Sequence, residues 1–449
     1  MSRQATTSAS EPGDSRRRQP PGRQSRLRLY LQRTTPALWL VAAYATPLWA
    51  GGPAPYEIAT PDLGLASAGW AARAQDAATV ATNPAGMTRL DRSQVLVGVQ
   101  PAYVDIHFDT AFATHGGNNG GEAGGFVPGA GLYHVTSLTP DLKLGVGTIA
   151  YASGSLDYDK DWAGRYFGQR VVLTASGITL PVAYRVNEWL SLGAGLNVLL
   201  GYLDEKAAVN NVDPRLGDGR IRYSDYTTGY GGNFGILLEP STGTRVGLQY
   251  LTQVNLNFRD KVQLGGLGPV LENGLARRDL LNPRLHLNLD LPQSIMVSGY
   301  HELTDQWAIL GDVGWQNWSK FGNFGVSVSS ADTNSFTVNE HYNDTWHVAL
   351  GTQYRLTPLW LLTAGVAYDS SMVNNADRKV WLPMDRQIRV GAGTQYQWNE
   401  DVTVGCAYEY ANFGENKIRQ TGGPLQGDLK GNYSSFNANF FDATLIWKF

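Results

Sequence analysis

From residue 93 to residue 449 the chain alternates between apolar and small or polar side chains with a period of two. Only β-strands with two different faces read this way, because successive side chains of a strand point to opposite sides. Leu190, Leu192, Ala194, Leu196, Val198, Leu200 and Tyr202 alternate with Ser191, Gly193, Gly195, Asn197 and Gly201. The same split sets Ile388, Val390, Ala392, Tyr396 and Trp398 against Gln387, Arg389, Gly391, Gly393, Gln395 and Gln397. It then sets Val402, Val404, Cys406, Tyr408 and Tyr410 against Asp401, Thr403, Gly405, Ala407 and Glu409. A soluble sandwich with its polar face in water and a membrane barrel with its apolar face in lipid both satisfy this pattern.

Three features favour the membrane barrel. Aromatic residues gather near strand ends (Tyr184, Trp189, Tyr202, Trp307, Trp318, Tyr368, Trp398), where interfacial girdles belong. Tight turns at Thr139-Pro140, Asn187-Glu188, Thr357-Pro358 and Asn399-Glu400 alternate with long polar connections, so one end of the barrel is trimmed and the other is not. The last strand ends on Trp447-Lys448-Phe449, with an aromatic at its close. Composition agrees, with 52 Gly, 11% aromatic and only 17% charged residues, and no apolar run approaches the ~20 residues of a spanning helix. The expected fold is all-β, a 14-stranded antiparallel transmembrane barrel spanning 93–449. Strands are predicted at 93–108, 128–138, 141–154, 170–187, 189–204, 221–239, 243–260, 284–300, 305–322, 343–357, 359–372, 385–398, 401–414 and 432–449. Residues 324–340 read as a hairpin standing above the membrane. Leu192, Val390, Val404 and Leu445 should face lipid, while Asn197, Asp369 and Arg389 face the lumen.

The first fifty residues read differently. Seven Arg between Arg16 and Arg33 precede an apolar run, Ala37–Ala45, with Ala43-Tyr44-Ala45 or Trp49-Ala50 as a cleavage point, so 1–50 is predicted to be a signal peptide with an extended basic region. Between leader and barrel, 51–92 is rich in Ala, Gly and Ser, which suits a plug inside something narrow. It closes on Asn83-Pro84-Ala85-Gly86, where Pro84 fixes its own φ, pushes Asn83 out of the helical region, and Gly86 frees the exit. Taken alone, this tetrapeptide also reads as a simple helix stop before a strand.

Several function classes are excluded. One Cys, Cys406, allows neither an internal disulfide nor a CxxC metal or redox site. Once the arginine-rich leader is set aside, the remaining 28 basic and 37 acidic residues leave a net charge of −9, which argues against a nucleic-acid partner. His286 and His347 are lumen candidates, but no GxSxG motif supplies a nucleophile, and the Gly116–Gly121 cluster sits in a loop between strands, not at a strand-to-helix turn. The chain is read as no enzyme, with no cofactor and no metal.

The segment ending in Asn83-Pro84-Ala85, followed by Asp161-Trp162-Ala163-Gly164-Arg165-Tyr166, Leu287-Asn288-Leu289-Asp290-Leu291-Pro292 and Trp315-Gln316-Asn317-Trp318-Ser319-Lys320-Phe321, resembles the FadL-type family of outer-membrane long-chain fatty-acid and hydrocarbon transporters. Asn343-Asp344-Thr345-Trp346, Ala367-Tyr368-Asp369-Ser370 and Leu382-Pro383-Met384-Asp385-Arg386 continue the likeness in order. The resemblance implies a monomer in the Gram-negative outer membrane that takes up hydrophobic small molecules (fatty acid, hydrocarbon or detergent) and meets outer-membrane lipid. It implies a hatch at 51–92 with Asn83, Pro84, Ala85 and Gly86 as gating residues, and a sideways exit at the third strand. Gly145, Gly147, Gly154, Trp162, Arg165 and Tyr166 are the exit candidates, although Gly is common in barrel strands for other reasons. Strand parity places Arg245, Asp312, His347, Arg355, Asp369 and Arg389 in the lumen, with Asp369 and Arg389 expected to hold Asn83. The connection at 205–220 is too short for a long helical insertion, which suggests a reduced outer groove and smaller hydrophobes. The rival functions are an aromatic or aliphatic hydrocarbon importer and a structural or adhesive barrel with a closed hatch.

Overall fold

The computed structural model describes residues 58–213, 215–329 and 333–449. The predicted signal peptide at 1–50 and the start of the 51–92 segment lie outside the described residues.

Fourteen antiparallel crossings form a closed wall. In order they are Gln94–Val99 with Ala102–Ala113, Gly125–Val127 with Ala130–Ser137, Leu142–Asp157, Arg170–Arg185, Leu190–Val209, Gly219–Ser241, and Thr244–Leu251 with Val254–Lys261. There follow Arg284–Leu291 with Ser294–Glu302, Trp307–Gln316 with Asn323–Ser329, Thr333–Asn339 with Thr345–Arg355, Trp360–Asp369, Gln387–Gln397, Val402–Asn412 and Asp428–Lys448. The first strand closes on the fourteenth, in register from Gln94↔Lys448 to Val99↔Ala443. Closure joins the first strand to the last, so the sheet has no terminal edge, as the hydrocarbon demands of any spanning sheet.

The short turns at one end share a cause. Thr139 Oγ1, Asn187 Oδ1, Thr304 Oγ1, Thr357 Oγ1 and Asn399 Oδ1 each accept a hydrogen bond from the backbone N–H three residues on. Each thereby satisfies a donor that a tight hairpin would otherwise strand. Leu192, Val390 and Leu445 face outward and exposed, while Asn197, Asp369 and Arg389 are buried inside. Trp189, Trp307, Trp360 and Trp398 stand outward at the short-turn end, and Tyr226, Tyr230, Trp346 and Tyr368 at the other. Trp318 departs from this girdle. Residues Trp318–Phe321 form a helical turn that interrupts the expected strand at 305–322, and Trp318 is buried with Phe321 and Tyr342.

Strands seven to ten are less continuous than their alternation suggests. Beyond Thr252-Gln253, Pro292-Gln293 and 317–322 their outer halves leave the ring and form a separate four-stranded sheet. The expected hairpin at 324–340 is the edge of this sheet. Its inner face carries Leu256, Phe258, Leu287 and Leu289, so the inward residues change from polar to apolar above Pro292. The 205–220 connection is short, as expected, but a helix, Pro269–Ala276, lies in the next long connection. Asn211 ties the two together, donating to the carbonyls of Gly217 and Gly266 and accepting from Gly268 N.

Leu350 faces outward midway along its strand, opposite Val366. Leu350→Arg is expected to cost about 2 to 4 kcal/mol in urea unfolding from liposomes, and an Arg at the inward Thr403 distinctly less. Equal penalties would contradict this orientation.

Candidate functional site

Residues 58–90 run through the inside of the wall, almost every one buried. Small side chains let this segment touch the strands backbone to backbone. A Cβ on Gly365 would lie 1.8 Å from Leu65 O, so that position accepts only glycine while the segment stays seated.

Charged and amide side chains hold the segment from both sides. Arg245 donates from Nε to Ala72 O at 2.9 Å and from NH2 to Arg73 O at 3.0 Å, with its guanidinium 3.5 Å above the Tyr300 ring. Asp312 accepts from Gly69 N at 3.1 Å and Trp70 N at 3.4 Å. Ser298 Oγ accepts from Ala71 N, and Gln249 bridges Trp70 Nε1 and Ala81 O. Asp369 joins His347 Nδ1 at 2.8 Å to Arg389 at 3.3 Å, and Arg389 reaches Ser67 Oγ at 3.3 Å. Five of the six lumen candidates therefore meet at this seat. Arg355 does not, because it is the last residue of its strand and stands exposed beside the 356–359 turn.

Asn83 is buried and caps the turn Pro84–Arg89, its Oδ1 accepting from Ala85 N. Its Nδ2 donates to Ala71 O at 2.6 Å and to Ile236 O at 3.0 Å. Its partners are thus backbone carbonyls, one in the segment and one in the sixth strand, and not Asp369 or Arg389. Parity identified which residues face inward but not which level of the barrel each occupies. Pro84, Ala85 and Gly86 are buried beside it.

The third strand loses a partner halfway along. Its ladder with the second strand runs from Ser137↔Lys143 to Tyr133↔Gly147 and stops, while its ladder with the fourth continues to Asp157↔Arg170 through a bulge at Tyr151. Pro128 and Gly129 break the second strand at this level. One cavity, of about 60 Å³, is lined by Ile149, Ala150 and Tyr151 of the unpaired run and by Trp70, Ala81 and Thr82 of the inner segment. A second, of about 380 Å³, is lined by Ala152, Gly154 and Leu156 of the same run, with Leu287, Leu289, Phe324, Trp381 and Phe436 among its walls.

The residues named for the exit divide. Gly145 makes room for Val80 and Met87 of the inner segment and Gly147 for Val80, since a Cβ at either would come within 3 Å of those side chains. Gly154 borders the larger cavity, and a Cβ there meets nothing within 4 Å. Trp162 lines neither cavity. It is buried, stacked 3.9 Å from Tyr158, with Nε1 donating to Gly168 O. Arg165 and Tyr166 both bind Asp218, at 2.7 and 2.6 Å, and clasp the loop after the third strand to the 205–220 connection. From that loop it is Phe167 and Gly168 that reach the cavity.

The sequence profile of the family described as "Outer membrane protein transport protein (OMPP1/FadL/TodX)" matches residues 41–449. The chain belongs to this family. As a FadL/TodX-family member it is an outer-membrane protein. It is 28% identical over 427 residues to the long-chain fatty acid transport protein of Salmonella typhi, covering 89% of this chain and 96% of that one. It is 27% identical over 443 residues to outer membrane protein P1 of Haemophilus influenzae, covering 88% and 94%. Among solved structures, a Pseudomonas aeruginosa FadL homologue superimposes with a TM-score of 0.81 at 20% identity, over 89% of this chain and 100% of that one. The P. putida toluene transporter TodX gives 0.62 at 18% identity, over 86% and 99%. These two show a shared fold.

Alternation alone did not single out the ion cluster inside the N-terminal segment of this family member. Arg73 lies 2.6 Å from Asp62 and 2.7 Å from Asp76, all three buried. Three charges in an otherwise Ala- and Gly-rich stretch were the available signal. His286, expected in the lumen, points to the other face of its strand, beside Arg259.

Proposed function

We propose that the chain is a passive outer-membrane channel for hydrophobic molecules, long-chain fatty acids foremost. In this reading residues 58–92 act as the hatch, with Asn83 at its anchor, and the unpaired run of the third strand is a sideways exit into the membrane. The carrying observation is that run itself, bordered by one cavity at 149–151 and a larger one at 152–156. A strand can shed its ladder at membrane depth only where protein or a cavity covers the freed backbone. Sideways release also fits the cargo, because keeping an alkyl chain out of water is worth ~0.8 kcal/mol per methylene. The names of the relatives, a fatty-acid transporter and a toluene transporter, agree with hydrophobic cargo.

The test is uptake of a labelled long-chain fatty acid by cells whose own importer has been deleted. Gly154→Trp fills open space, so the folded amount in the outer membrane should be unchanged while uptake falls about tenfold or more, the effect of removing ~1.4 kcal/mol or more of productive binding. Normal uptake in this variant would rule out the route. Import of uncharged hydrocarbons is the second reading, and the mostly apolar lining of the larger cavity, with Leu173, Leu203, Leu287, Leu289 and Phe324 in its walls, favours it.

A further inference from the structure

Asp105, His107 and Glu122 meet on the outer surface of the wall, at the end of the first strand away from the short turns. Strand parity puts Asp105 and His107 on the face that carries the outward Tyr103, one and two steps beyond it, so both stand above the lipid-facing band. Glu122 arrives from the connection to the second strand, through a bridge that sets its backbone opposite His107. One ligand atom from each residue lies within 4.8 Å of the others. His107 Nδ1 is the hub, 2.8 Å from Asp105 Oδ1 and 3.6 Å from Glu122 Oε2, with Ser435 Oγ of the fourteenth strand at 3.2 Å.

Two features separate this cluster from an ordinary polar patch. The first is charge. Among the described residues neither carboxylate forms an ion pair with a Lys or an Arg, whereas Asp157, Asp204 and Asp218 at the same end of the barrel each meet an arginine. Two carboxylates beside a neutral imidazole leave two negative charges that one divalent cation balances. The second is orientation. Glu122 Oε1 accepts from Ile106 N at 2.8 Å and from Gly124 N at 2.9 Å, and Asp105 Oδ2 accepts from Asn437 Nδ2 at 3.1 Å. Each carboxylate thus commits one oxygen to groups outside the cluster and turns the other toward His107, which is how outer partners aim metal ligands.

Zinc bonds of ~2.0 to 2.2 Å to imidazole nitrogen and carboxylate oxygen set ligand atoms roughly 3.3 Å apart in a tetrahedron, a spacing that falls between the two distances from His107 Nδ1. Calcium and magnesium take oxygen shells, so the imidazole selects a transition ion. We propose that Asp105, His107 and Glu122 bind one divalent transition-metal ion of the zinc class, with a water in the fourth position and Asn437 as a positioning residue. The ion takes the place of a proton on His107 Nδ1, which is released to solvent. Once bound, it fastens the connection at 114–124 to the first strand, beside the seam where that strand closes on the fourteenth. No cysteine takes part, which is why cysteine spacing gave no sign of a metal.

The test is competition for zinc between a fluorescent indicator and the purified full chain, untagged and stripped with EDTA, in nonionic detergent. One zinc should bind per chain. Asn437→Leu should weaken binding about tenfold, the lower end for loss of an orienting partner, and His107→Ala or Asp105→Asn should weaken it by more. His341→Ala, at an exposed histidine outside the cluster, should leave it unchanged. Amide exchange at Gly124 should slow when zinc is added to the wild type and not when it is added to His107→Ala. The mobility of the unheated protein on a gel confirms that each variant is folded. Absence of saturable binding at one ion per chain, or binding that neither His107→Ala nor Asp105→Asn weakens, overturns the site. Magnesium held as tightly as zinc overturns its assignment to a transition ion.

Discussion

Arg73→Leu is expected to unseat the N-terminal segment while leaving the barrel wall assembled. Arg73 is the only cation within the cluster it forms with Asp62 and Asp76, and all three lie out of reach of water. Removing it leaves two carboxylates facing each other without a counterion, a change that costs about 3 to 5 kcal/mol when one partner of a buried pair is lost. The wall does not depend on this cluster, since its ladders close through backbone bonds from the first strand to the fourteenth. The loss should therefore appear as an open lumen: higher ion conductance in planar bilayers and faster proteolysis within 58–92, with an unchanged folded band on gels. Arg73→Leu combined with Asp62→Asn and Asp76→Asn should recover most of the closed state, because replacing a whole buried ion set is far milder than breaking it. A triple variant as leaky as the single one would show that the cluster does more than balance its own charge.

Alternation made the wall legible, and the reason is physical. Lipid outside and a packed lumen inside force every crossing to keep two chemically distinct faces, so Leu192 and Asn197 could be assigned without knowing any neighbour. The same rule fails above Pro292, where the inner face is itself apolar and Leu287 and Leu289 turn toward a cavity. There the inside and the outside carry the same kind of side chain, and parity no longer distinguishes them. Trp318 was misplaced for a related reason, since an aromatic near a strand end fits a girdle and a buried helical turn equally well. Partner assignments were legible only by face. Asp369 and Arg389 do point inward, but they hold Ser67, one level away from Asn83. The gap in the third strand left only a faint trace, because Gly145, Gly147 and Gly154 are alike in sequence while two make room for the inner segment and one borders open space. The break belongs as much to Pro128 and Gly129 on the neighbouring strand as to any of them.

Gly235→Val is expected to act through Asn83 and nothing else. Gly235 pairs with Gly193 in the ladder between the fifth and sixth strands, and together they form a depression in the inner wall. A Cβ on Gly235 would lie 1.9 Å from Asn83 Oδ1, and one on Gly193 would lie 2.4 Å from Ala85 N. Backbone stands behind both positions, so the added atoms cannot be absorbed and Asn83 must leave. Its departure strands the carbonyls of Ala71 and Ile236 and the N–H of Ala85, each a buried group whose loss of a partner costs roughly 1 to 3 kcal/mol. Conductance should rise, and uptake should change with it if the segment gates the route. Asn83→Ala alone should produce a smaller rise, because the wall still fits. The double variant is the decisive measurement. Once Asn83 is an alanine the clash at Gly235 is largely gone, so the two effects should fall well short of adding, with a coupling of about 0.5 to 3 kcal/mol as for residues in direct contact. Strictly additive effects would mean that Gly235 serves the strand and not the anchor, and Asn83 would then lose its place as the residue that fixes the segment to the wall.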